Sequence, residues 1–162
     1  RERYQALVCC VVTAAVVSNE YQPAMPKTLP MLVAGRDAVP NFLRVCLATS
    51  GKVLKERGDD AVHFLAAEMQ ALRFALSHRD ETVALTKEII HAKADDPRPA
   101  FVFDDAVAHH AVDPDLPIPA DKINWMQQQM VQAGKLKAVL PMDQISAPEY
   151  REKALKLAGA SH

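Results

Sequence analysis

The chain has 162 residues, 49% of them hydrophobic and 24% charged, with 19 basic against 20 acidic side chains and a formal net charge of -1. That composition is globular and has room for one domain or part of a larger one. It excludes a strongly basic nucleic-acid binder, which needs an excess of Lys and Arg to neutralise phosphates, and no apolar run reaches the ~18 residues of a membrane span.

In chain order, residues 6–10 read as the end of a helix. Residues 11–17 follow as a β-branched, apolar run (Val-Val-Thr-Ala-Ala-Val-Val) of strand length, so a buried strand is expected. Ser18, Asn19, Glu20 and Tyr21 then gather at the carboxyl end of that strand. Ligands of open α/β sheets bind in the crevice outside the carboxyl ends of strands, so these four are the candidate ligand-binding residues. A buried strand this near the first residue needs sheet neighbours, and the opening Arg-Glu-Arg-Tyr lacks the order of a signal peptide. The chain is therefore expected to be a piece whose beginning lies elsewhere.

Gln22 to Pro30 holds Pro23, Pro26 and Pro30 and reads as an extended connector. Residues 31–34 form a short apolar run that also suggests a strand, 35–41 a loop, and 42–49 a second buried strand. Residues 52–57 suggest a helical turn. After Gly58, Asp59 and Asp60 are expected to cap the strongest helix, whose face carries Val62, Leu65, Met69, Leu72 and Leu76. Asp80 caps the next helix, with Val83, Thr86, Ile89 and Ile90 on its apolar face. A helix is expected over residues 100–112. Asp121 opens another, with Ile123, Met126, Met130 and Val131 inward and Gly134 at its end. Trp125, the one tryptophan, is assigned to packing. Ser146-Ala-Pro-Glu149 has the form of a capping box and starts the last helix, which Gly159 ends.

The chemistry carried by recognisable motifs is thin. Phosphate-cradling glycine loops, a nucleophile elbow and an HExxH pair are absent from the sequence. Asp105 and His109 stand four apart, but two ligands do not make a metal site, and a solvated helix face is the expected role. Cys9, Cys10 and Cys46 are expected as small buried hydrophobes; a bridge from Cys46 to Cys9 or Cys10 stays open. On the residues alone, a non-enzymatic binding module fits better than an enzyme, and a helical interaction protein comes third. No cofactor, metal or catalytic residue is assigned.

Three segments together resemble a family. Ala6-Leu-Val-Cys-Cys-Val-Val-Thr-Ala-Ala15 matches in register the Ala-Leu-Leu-Ala-Gly-Glu-Val-Asp-Ala-Ala type of motif in solute-binding proteins of ABC importers. The similar branch serves nitrate, sulfonates, taurine and thiamine-pyrimidine compounds. Glu20-Tyr21 falls where that family has a Glu-Pro or Glu-Tyr pair. Residues 52–76 are similar to its helix after the return to the first lobe, and Ile123 to Leu136 with Tyr150 to Leu157 resemble its closing helices. The departures are Cys10 in place of Gly and Thr13 in place of Asp. The resemblance implies an α/β fold of the type II periplasmic-binding-protein kind, of which this chain is the helix-rich C-terminal half. Residues 1–21 would end the second lobe, 22–40 form the hinge, and 41–162 complete the first lobe. It implies no enzyme but a periplasmic or otherwise extracytoplasmic capture component that closes on a small organic nutrient. Its partners would be that ligand, a membrane permease and the missing N-terminal half of the same protein, with no nucleic acid. The alternative it implies is a thiamine-pyrimidine biosynthesis enzyme of the same fold family.

Overall fold

The structure is a computed structural model and describes residues 2–159. Among these residues the regular structure is helical: α1 (Glu2–Val8), a 3-10 helix (Asn19–Ala24), α2 (Gly35–Ala38), α3 (Gly51–Ser77), α4 (Arg79–Ile89), α5 (Arg98–Ala108), α6 (Ala120–Gln132), α7 (Met142–Ile145) and α8 (Pro148–Ala158). No strand occurs among them. The expected α/β periplasmic-binding-protein-like fold is therefore not what this chain forms. Residues 11–17, 31–34 and 42–49, read as strands, are irregular apart from the turn that ends α1. Their apolar side chains face outward: Val11 is 75% exposed, Val16 80% and Val45 76%. The physical reason is pairing. A helix satisfies its own N–H and C=O groups, whereas a strand needs a neighbour, and two or three short strands make no stable sheet alone. The expectation that the cysteines are buried fails with the strands, since Cys9, Cys10 and Cys46 are all exposed and free.

The chain divides into two compact units, Arg1–Leu32 with Phe74–Val112, and Val33–Arg73 with Asp113–His162. The second holds the main core. Val62, Ala66 and Met69 on α3 meet Ala154 on α8, with Leu65, Leu116, Tyr150 and Leu155 packed around them. Met69 and Ala154 are fully buried. Gly58 lets α8 come close, because a Cβ there would lie 2.9 Å from Cε1 of Tyr150, whose hydroxyl donates to the Leu54 carbonyl at 3.2 Å. The break expected at Gly58 is present: within Gly51–Ser77 two helical segments meet at a kink at Arg57 (φ -139°, ψ 39°). Asp59 and Asp60 lie within α3 and do not cap it.

Two polar clamps complete this unit. Nη1 of Arg73 donates to the Ala158 and Gly159 carbonyls at the end of α8, and Nη2 to Oδ1 of Asp115 at 2.8 Å. A cation there also suits the negative end of the helix dipole. The most buried residue of α6 is Gln127, not one of the apolar residues expected inside. Its amide donates to the Leu140 carbonyl at 3.1 Å and accepts the Leu140 N–H at 2.8 Å, acting as a short piece of backbone that pins the following loop. The expected capping box at Ser146 does not form: Ser146 donates its hydroxyl back to Met142 O at 2.6 Å, and α8 starts without a side-chain cap.

In the first unit, α5 packs against both the 3-10 helix and α4. Arg79 at the start of α4 grips Asp104 of α5 with two hydrogen bonds of 2.7 Å, from Nε and Nη2. Thr82 ties α4 back to the Ala75 carbonyl at 3.0 Å.

Four helices stop in the same way. After α1, α4, α5 and α6, one residue turns left-handed: Cys10 (φ 57°), His91 (φ 51°), His110 (φ 47°) and Gly134 (φ 67°). Each turn closes a pair of bonds, as with Val11 N–H to Ala6 O at 2.9 Å and Cys10 N–H to Leu7 O at 3.1 Å. Only one of the four is glycine. The chain has five glycines in all, so residues with a Cβ take the left-handed position at a cost of ~1–2 kcal/mol each.

Cys10→Gly and His110→Gly should each raise the denaturant midpoint, by about 1 kcal/mol in free energy. Met69→Ala should cost about 2–5 kcal/mol, and Gly58→Ala should also destabilise, although alanine is the better helix former, because Tyr150 must move.

Candidate functional site

The four residues singled out in the sequence lie at the start of the 3-10 helix. Ser18 precedes it with extended backbone (φ -69°, ψ 142°), and its carbonyl accepts the Tyr21 N–H at 3.2 Å. In so tight a helix, neighbouring side chains point in different directions. Asn19 turns to α5, where its amide donates to Oδ2 of Asp105 at 2.8 Å. Tyr21 turns to α1, and Glu20 lines a cleft beside it.

There Tyr4 of α1 stacks on Tyr21, with ring centroids 4.5 Å apart and planes 13° from parallel. The Tyr4 hydroxyl donates to the Ala24 carbonyl at 2.9 Å, at the far end of the 3-10 helix. Beside the stacked rings opens a cleft of about 460 Å³. Its charged groups are the carboxylates of Glu2 and Glu20 and the guanidinium of Arg3. Val16 and Val17 supply apolar surface, Ser18 a hydroxyl, and the two tyrosines their rings. A shallower, mainly apolar dent of about 340 Å³ adjoins it, sharing Arg3 and Val16.

The cleft thus gathers three of the four expected residues, Ser18, Glu20 and Tyr21, at its edge, while Asn19 braces the element that carries them. Glu2, Arg3 and Tyr4 were not expected there. They belong to α1, and only its end is marked in the sequence. Nothing in the spacing of Tyr4 and Tyr21 foretells a stack.

Behind the cleft lies a charged cluster at the start of α5. The Arg98 guanidinium wraps Asp96, with Nε 2.9 Å from Oδ1 and Nη2 2.5 Å from Oδ2, and Asp96 also accepts the Arg98 N–H. These bonds hold the Asp96 carboxyl down to about 2. Arg98 is pushed above its ordinary value, first by Asp96 and to a smaller degree by the negative charge of Glu20. Asp104 is held below its ordinary value by its bonds from Arg79. Asp105 and His109, four apart as the sequence places them, lie 3.4 Å apart, and the Asn19 amide occupies the other oxygen of that carboxylate. Among the described residues, no three His, Cys, Asp or Glu side chains gather as a metal ion would require. None of the described helices is long and apolar enough to cross a membrane.

Comparison of the chain with protein-family models, with curated proteins and with solved structures yields no match in any of the three.

The charged cluster has a checkable titration. Asp96 should titrate near pH 2 when followed by NMR, and Arg98→Gln should move its midpoint up towards 3.8. The folded value is the depressed one. The stability that Asp96 contributes is therefore present above pH 3.8 and is lost as the pH falls towards 2.

Proposed function

We propose that this chain is a non-catalytic ligand-binding component, the capture part of an ABC-type importer for a small organic nutrient. The observation that carries the reading is the cleft beside the Tyr4–Tyr21 stack. Ser18, Glu20 and Tyr21, candidate binding residues of the sequence, line one cleft of about 460 Å³. A few polar groups set among apolar and aromatic surface is the usual make-up of a small-molecule site.

The importer setting draws on the order and spacing of the sequence motifs. One local feature supports their register. Cys10 takes a left-handed turn at the end of α1, at the position where the family carries Gly, the residue that suits such a turn. The two-lobed α/β frame is not carried over, so binding is assigned to the first unit alone and no closure between lobes is invoked. Delivery to a membrane permease and an extracytoplasmic location belong to the same proposal.

The test is equilibrium binding of the whole chain to a panel of small nutrients, with thermal melting as a second readout. A compound that binds should stabilise the fold by about 2.7 kcal/mol at a hundredfold excess over its dissociation constant. The double substitution Glu20→Ala with Tyr21→Ala should abolish that shift and leave the helical circular dichroism intact. Full binding by the double variant, or no binding by any compound in the panel, would overturn the reading.

A further inference from the structure

The chemistry of the cleft selects among ligands. Two acidic residues, Glu2 and Glu20, and one basic residue, Arg3, line the cleft, which leaves one net negative charge on the lining. The nearby Arg98 does not reverse this, because the Asp96 carboxylate clasped by its Nε and Nη2 balances its charge. An anionic ligand would have Arg3 as its one cationic contact on the lining and would meet two like charges. A cation meets the reverse. The lining also offers two tyrosine rings, each using one face for the stack with the other, and aromatic faces attract cations through their quadrupole. Val16 and Val17 add surface suited to alkyl groups rather than to a hydrated inorganic ion.

From these features we infer that the cleft takes an organic ammonium compound, with the cationic nitrogen between Glu20 and the tyrosine rings and its alkyl groups against Val16 and Val17. This rests on the proposal that the cleft is a ligand site, and adds the charge class of the ligand. Hydrophobic contact, cation–aromatic attraction and a nearby carboxylate reinforce one another only for a cation whose charge is spread over carbon. A bare metal ion or ammonium stays better hydrated outside.

The experiment uses the whole chain and a matched pair of probes, choline and its uncharged isostere 3,3-dimethyl-1-butanol, with methanesulfonate as the anionic arm. The chain has three tyrosines. Tyr4 and Tyr21 report on the cleft, and Tyr150, in the other unit, serves as an internal control. Choline should shift the ring proton signals of Tyr4 and Tyr21 saturably and leave Tyr150 unmoved. The isostere should need about tenfold higher concentration for the same shift. Glu20→Gln should remove most of that preference, and Tyr21→Leu should weaken choline more than Tyr21→Phe does. Equal binding of choline and its isostere would overturn the inference, as would a preference that survives Glu20→Gln. Shifts caused by the isostere or by methanesulfonate but not by choline would overturn the ammonium assignment and leave the cleft as a ligand site. No shift from any of the three would overturn the ammonium assignment, and the wider nutrient panel would then decide whether the cleft binds a ligand at all.

Discussion

The stack of Tyr4 on Tyr21 is the contact on which the candidate site depends. It joins α1 to the 3-10 helix over a long, irregular stretch of chain, and the Tyr4 hydroxyl extends the join to Ala24. Without it the carboxylates of Glu2 and Glu20 would sit on elements with no fixed relation. The 3-10 helix is held in turn from the other side, where Asn19 bonds Asp105 on α5. Arg79 then ties α5 to α4 through Asp104. The wall of the cleft is thus formed by a short helix gripped between an aromatic stack and an amide–carboxylate bond, with ion pairs beside it. Such surface-level ion pairs contribute little stability singly. Their role here is to fix which way the helices face.

The helices were legible in the sequence wherever a periodic face and a stop signal agreed. The stripe of Val62, Leu65 and Met69 marks the inner face of α3, and Gly134 stands at the left-handed end of α6, as expected of a terminal glycine. Starts were harder. Asp59, Asp60 and Ser146 have the right chemistry for caps, yet none caps a helix: Asp59 and Asp60 lie inside α3, and Ser146, although its backbone is extended, stands one residue before the N-cap position at Ala147 and gives its hydroxyl to Met142. Gln127 was missed because its polar amide reads as surface, while its two bonds to Leu140 make it the most buried residue of α6. The cleft was half legible. Ser18, Glu20 and Tyr21 were expected on a cleft at the carboxyl end of a strand, and they line one although no strand forms there; the partners from α1 depend on a tertiary stack that no local pattern encodes.

The strand expectation failed for an instructive reason. Residues 11–17 and 42–49 carry the right side chains for strands, but side-chain preference is only half of what a strand requires. The other half is a row of backbone partners, and these segments find none among the described residues. β-propensity measures how well a residue suits a pleated, half-buried surface. It does not supply that surface.

The exposed run at residues 11–17 carries a consequence for the handling of the protein. It has seven residues, four of them valine, no charge and no proline, and Val11 and Val16 stand largely in solvent. Those are the sequence features of segments that stack into cross-β fibrils when identical copies meet. The nearest charged residue after the run is Glu20, too far along to act as a gatekeeper within it. The segment is therefore the place where copies of this chain are expected to self-associate at high concentration, and a lysine at Ala14 would interrupt it with a charge.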